Sequence, residues 1–109
     1  LGVAALYFTV RNEGGSDRLT KARVSDPKAI VELHDVKQNR MEKVAHFHVP
    51  GHGALQLKPG GMHVMVFNLP RDLAADAELS LTLTFEHSGE RTVTVRLEAP
   101  GKQSAPIGQ

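Results

Sequence analysis

Ile30-Val31-Glu32-Leu33-His34-Asp35-Val36, then Lys37-Gln38-Asn39-Arg40, then Met41-Glu42-Lys43-Val44 follow one another without a break. Two segments that mix β-branched and apolar residues with polar ones flank a wholly polar run, which is the pattern of a β-hairpin. Whether the loop is the central two residues or all four, Val36 falls opposite Met41. His34, two residues earlier, is then a same-face diagonal neighbour of Met41.

The same texture extends in both directions. Strands are expected near Ala4 to Arg11, Leu19 to Val24, Ile30 to Val36, Met41 to Val49, Ala54 to Leu57, Met62 to Leu69, Glu78 to His87 and Thr92 to Glu98. Asn12-Glu13-Gly14-Gly15-Ser16-Asp17, Pro50-Gly51-His52-Gly53, Pro59-Gly60-Gly61 and Ser88-Gly89-Glu90 break them, because Gly tolerates positive φ and Pro cannot donate to a ladder. Seven to eight short strands predict an all-β sandwich or Greek-key barrel. Leu73 to Ala77 could form a helical turn, too short to alter the class.

With 109 residues the chain has room for one domain. That domain is expected over residues 1–99, with 100–109 as a flexible C-terminal tail of little apolar content. No apolar run approaches the roughly 18 residues of a membrane span. A formal net charge of +1, with basic residues scattered among acidic ones, argues against nucleic-acid binding. The chain contains no cysteine, which removes disulfides, thiolate metal sites and thiol nucleophiles together. Neither a nucleophile elbow nor a zinc-helix motif is present, so no enzymatic activity is expected. The chain starts at Leu1 with no basic-then-apolar segment, so a signal or anchor, if one exists, is expected elsewhere in a longer protein.

Soft-metal chemistry would therefore fall to histidine and methionine. In Met62-His63-Val64-Met65-Val66-Phe67, strand alternation puts His63 and Met65 on one face and Val64 and Val66 on the other. With His34 and Met41 this makes two imidazoles and two thioethers, a neutral set suited to Cu(I) and poorly suited to magnesium, calcium or manganese. Thioethers need no deprotonation and form no disulfides, so such a site can work outside the cytoplasm, and the lack of thiolate favours transfer over storage. The competing reading is that each methionine fills core and each histidine sits at the surface, which would leave a metal-free interaction module. His46, His48 and His52 could form a second, harder site for Cu(II) or zinc, although His46 and His48 have the opposite parity to Met41. Met62 has the wrong parity for the His63 face and is expected to pack or form a rim, and His87 is expected to end a hairpin.

Met41 is followed by twenty-one residues and then His63-Val64-Met65, an interval that resembles the motif of the periplasmic copper chaperone family often called PCuAC. The flanks are similar too: Ala4-Ala5-Leu6-Tyr7-Phe8-Thr9-Val10-Arg11-Asn12 resembles the family's opening strand, Val31-Glu32-Leu33-His34 its first ligand segment, and Leu57-Lys58-Pro59-Gly60-Gly61-Met62-His63-Val64-Met65 its most distinctive run. Only six residues separate His34 from Met41, where the family usually has ten, and Asp35 and Val36 stand where a further methionine often follows the first histidine. The resemblance implies a cupredoxin-like Greek-key β-fold, Cu(I) held by His34, Met41, His63 and Met65, and delivery to an acceptor such as the binuclear copper centre of cytochrome oxidase. It also implies a periplasmic or other extracytoplasmic location, with a membrane anchor in a full-length protein compatible with it. The chain is taken as a monomer, and the site is expected near the surface, where a partner's ligands can enter.

Overall fold

A computed structural model describes residues 2–70 and 77–96, together with the backbone of 105–107. Eleven strands are described: β1 Gly2–Leu6, β2 Thr9–Asn12, β3 Asp17–Val24, β4 Ile30–Lys37, β5 Arg40–Lys43, β6 Phe47–Val49, β7 Gly53–Gln56, β8 His63–Leu69, β9 Glu78–Phe85, β10 Gly89–Arg96 and β11 Ala105–Ile107. One sheet runs β1-β8-β4-β5, a second β11-β10-β9-β3-β6, and β2 pairs with β7 in a small third. The fold is the expected all-β, cupredoxin-like one, and no helix occurs among the described residues. The helical turn considered at Leu73 to Ala77 lies, but for Ala77, outside them, as does most of the expected tail. Within that tail, Ala105–Ile107 pair antiparallel with Thr94–Arg96.

The strand count exceeds the expected seven to eight because two expected strands each serve two sheets and because β11 forms in the expected tail. The run from Ala4 to Arg11 divides after Leu6: β1 pairs with β8, whereas β2 pairs with β7, and the Phe8 carbonyl accepts a 2.8 Å hydrogen bond from Leu57 N. Met41 to Val49 divides in the same way, β5 staying beside β4 and β6 pairing with β3 in the opposite sheet. A strand that crosses at a corner lets its apolar residues reach the core from both layers, and periodicity alone cannot show where the crossing occurs. In β3 the register against β9 slips between Leu19 and Lys21. That bulge reverses the parity, so that Leu19, Ala22 and Val24 are all buried although strict alternation would turn Leu19 away from the other two.

The core lies between the two larger sheets. Leu6, Leu33, Val64 and Val66 enter it from one, Leu19, Val24, Phe47, Val49, Leu79, Leu81, Leu83, Phe85 and Val95 from the other, and Leu55 and Leu57 close it. At Gly51 an added Cβ would lie 2.8 Å from Ser16 N, so only glycine lets the β6–β7 turn lie against the β2–β3 loop. Asn12 fixes the same junction, its amide donating to the carbonyls of Gly15 (2.8 Å) and Pro50 (3.0 Å).

One buried carboxylate stabilises the β9–β10 turn. Asp17 accepts hydrogen bonds from Arg18 N, His87 N, Ser88 N and the Ser88 hydroxyl, the last at 2.7 Å. Removal from water pushes its pKa up, but these bonds, led by the Ser88 hydroxyl, prevail and lower it from 3.8 to about 2. The charged form is thus favoured by folding, and the resulting stability is present above the unfolded value of 3.8 and lost as pH falls towards 2. Asp17→Asn should therefore lower the thermal midpoint at pH 7 and show a shallower loss of stability than wild type as the pH is taken from 4 to 2. Circular-dichroism melts across that range test this, and parallel pH profiles for the two proteins would contradict it. His87, as expected, lies at this turn with its side chain exposed.

Candidate metal centre

The outward face of the β1-β8-β4-β5 sheet carries the residues singled out by the sequence. In β4, Leu33 and Val31 turn inward, so Ile30, Glu32, His34 and Val36 face out. The antiparallel register then sets cross-strand neighbours: Ile30 opposite Phe67, Glu32 opposite Met65, and His34 opposite His63 on β8, with Ala5 opposite Met65 from β1. On the other side, Val36 lies opposite Met41 and His34 opposite Lys43. The Val36–Met41 pairing is the one expected, and the open question of loop length is resolved. Lys37 pairs with Arg40, leaving a two-residue turn with Gln38 and Asn39 both at positive φ (52° and 63°), as in a type I′ hairpin.

His63 is oriented by the turn that precedes it. Gly61 N donates to the Lys58 carbonyl at 3.0 Å, with Pro59 second and Gly60 third in the turn at φ 82°, the features of a type II turn. This places the Gly61 carbonyl 2.8 Å from His63 Nδ1. A carbonyl only accepts, so Nδ1 carries the proton and, in the neutral ring, Nε2 keeps its lone pair. Nε2 lies 3.1 Å from the sulfur of Met41, which reaches across β4 to meet it. Neither atom has a proton to offer the other. Two lone pairs that face each other in this way are what a bound cation can reconcile.

His34 stands between them in the ladder, its ring centroid 5.7 Å from that of His63. Its Nε2 lies 2.9 Å from Oε1 of Glu32. The other Glu32 oxygen is 3.6 Å from Lys43 Nζ. The His34 hydrogen bond holds the Glu32 carboxyl below its ordinary value, with partial burial opposing and the Lys43 charge reinforcing. His34 Nδ1 is buried and has no hydrogen-bond partner. An orphaned imidazole nitrogen on a face that also carries a second imidazole and a thioether fits a soft metal ion.

The four residues differ in exposure. Met41 is 58% exposed, whereas His63 is 4% and Met65 8% exposed. The expected surface position therefore holds for Met41 and not for His63 or Met65, which are covered although both lie outside the contiguous apolar core. The covering arises because Met65 sits in the middle of a four-stranded face with Ala5 and Glu32 opposite it, whereas Met41 is on the edge strand. Of the other exposed large apolar residues among those described, Ile30 belongs to this same outward face, and Val3 lies at the register shift in β1.

His46, His48 and His52 are exposed, and no group of three His, Asp or Glu side chains suited to a metal forms among the described residues. The second site considered for them is thus not assembled. Met62 packs against the core. A cleft of about 830 Å3 lined by Phe8, Val10, Asp17, Leu83, Arg91 and Val93, among others, contains none of the four candidate ligands. Sequence reading passed over Glu32 and the Gly61 carbonyl. Glu32 was accessible to it, since a carboxylate two residues before a histidine on one strand shares its face; Gly61 acts through its backbone, which residue identity does not reveal.

Residues 2–97 match the family model described as "Putative lipoprotein LpqE-like". A putative lipoprotein of Leifsonia xyli subsp. xyli is 27% identical over 99 residues, covering 86% of this chain and 60% of that protein. An uncharacterized protein of Rickettsia prowazekii is 29% identical over 99 residues, covering 86% of this chain and 55% of that protein. The chain thus spans between half and two thirds of the length of these relatives. Among solved structures, the copper-bound PCuAC domain from PmoF2 superposes with a TM-score of 0.74 at 27% identity, covering 90% of this chain and 80% of that one. The apo PCuAC domain of PmoF1 gives 0.72 at 28% identity, covering 90% and 81%.

Proposed function

The chain belongs to the LpqE-like family and has the fold of PCuAC domains, and from that premise we propose that it is a copper chaperone that holds Cu(I) through His34, Met41, His63 and Met65 and passes it to another protein. The observation that carries this reading is the approach of His63 Nε2 to the Met41 sulfur at 3.1 Å, with the unpartnered Nδ1 of His34 on the same face. Two imidazoles and two thioethers carry no net charge, so they favour the monovalent, soft ion without requiring proton release from a thiol.

Each residue has a distinct part. His63 is held by the Gly61 carbonyl and points a lone pair at the site. His34 supplies the second imidazole from the adjacent strand. Met65 backs the site from a covered position, whereas the exposed Met41 is the ligand a partner meets first. Transfer then proceeds by exchange: an incoming acceptor ligand displaces the Met41 thioether, and the remaining contacts are released in turn. The exposed Ile30 on the same face gives an acceptor apolar surface against which to sit. The binuclear copper centre of cytochrome oxidase is the destination that the family resemblance carries. The lipoprotein name of the matched family favours an extracytoplasmic, membrane-tethered setting. The domain carries copper as cargo, and no reaction is assigned to it.

The test is an anaerobic Cu(I) titration followed through the methionine methyl and histidine ring signals, with Met41→Leu and Met65→Leu alongside wild type. One equivalent should shift Met41, Met65, His34 and His63 together, and each variant should bind more weakly. Absence of any saturable shift would replace this reading with the metal-free interaction module. Mixing the loaded domain with an apo copper-acceptor domain then tests transfer.

A further inference from the structure

We propose that Glu32 is a positioning residue that makes the two histidines of the site use opposite ring nitrogens, His34 presenting Nδ1 and His63 presenting Nε2. The inference rests on the copper-binding reading for its consequence, but its premise concerns the apo protein and can be tested there.

Glu32 and His34 are two residues apart on β4 and share the outward face. A carboxylate can only accept, so the 2.9 Å approach of Glu32 Oε1 to His34 Nε2 requires the proton to be on Nε2. In the neutral ring the lone pair then resides on Nδ1, the buried atom that has no partner. His63 has the reverse arrangement: the Gly61 carbonyl at 2.8 Å takes the Nδ1 proton, and Nε2 faces the Met41 sulfur. Each imidazole is thus held by an acceptor on one ring nitrogen, by a side chain for His34 and by a backbone carbonyl for His63, which leaves the other nitrogen for an ion. Lys43 Nζ lies 3.6 Å from the second oxygen of Glu32. Met65 is the cross-strand neighbour of Glu32 on β8. A carboxylate behind an imidazole ligand orients the ring and raises its donor strength, and loss of such a group typically costs about 10–100-fold in metal affinity.

Long-range proton–nitrogen NMR correlations of the histidine rings, recorded on the apo protein at mildly alkaline pH where imidazole is neutral, read the tautomers directly. The expected result is Nε2–H for His34 and Nδ1–H for His63 in wild type. On Cu(I) addition the coordination shift should appear on His34 Nδ1 and His63 Nε2. Glu32→Gln keeps an oxygen acceptor and should retain the His34 tautomer with affinity within several-fold of wild type. Glu32→Leu should mix the His34 tautomers, leave those of His63 unchanged and lower Cu(I) affinity about 10–100-fold in competition with a chromophoric chelator. An Nδ1–H tautomer at His34 in apo wild type overturns the proposal whether or not copper binds. So does a Glu32→Leu protein that keeps the His34 tautomer and full affinity. If Glu32→Leu does not fold, the wild-type tautomers still decide the matter. Wild type with the expected tautomers but no saturable Cu(I) binding would sink the copper reading and leave the positioning role of Glu32 standing.

Discussion

His63→Gln is expected to lower Cu(I) affinity by at least about 100-fold while leaving the fold intact, because His63 is where the site's separate contacts converge. Its ring faces the Met41 sulfur, lies beside His34 and is fixed by the Gly61 carbonyl. Since groups one step removed from a metal already cost about 10–100-fold when lost, removal of a ligand so placed should meet or exceed the upper end of that range. Glutamine occupies similar space and can still donate to the Gly61 carbonyl, so the β7–β8 turn has no reason to rearrange. Chelator competition measures the affinity and a backbone NMR spectrum checks the fold. An affinity within a few-fold of wild type would remove His63 from the site, and with it the observation on which the functional reading rests.

The largest effect on stability is expected at Leu81. This fully buried residue lies on β9, the strand between β10 and β3, with Val93 opposite on one side and Val24 on the other. Neighbours on both flanks limit how far the site can collapse, so Leu81→Ala should cost about 2–5 kcal/mol, combining lost transfer energy with a residual cavity. Ser80→Ala, one residue away on the exposed face, should change stability by no more than about 0.5 kcal/mol. Denaturant unfolding of the two variants measures both. Equal, small effects would mean that β9 does not occupy the centre of its sheet. Copper affinity should survive Leu81→Ala wherever the domain remains folded, since the site lies on the outer face of the other sheet.

Much of the site was legible because strand geometry is local. A period of two puts His63 and Met65 on one face, and a hairpin with a polar turn puts Val36 opposite Met41, whichever fold contains them. The joining of these two pairs was not local. It depends on β4 lying next to β8, strands separated by twenty-five residues, in a register that sets His34 opposite His63. Pairing partners of that kind follow from which faces the whole chain must bury, and no window of sequence contains the information.

Composition and spacing therefore settled the all-β class, the lack of thiol chemistry, the Gln38-Asn39 turn region and the types of ligand available. Tertiary structure decided where Ala4 to Arg11 and Met41 to Val49 cross between sheets, why Leu19 and Val24 can both face the core, and why Met41 is open while Met65 is covered. It also brought in the Gly61 carbonyl. The physical reason is the same in each case. Side-chain alternation is imposed by the backbone of a single strand, whereas sheet order, bulges and burial are set by packing between strands distant in sequence.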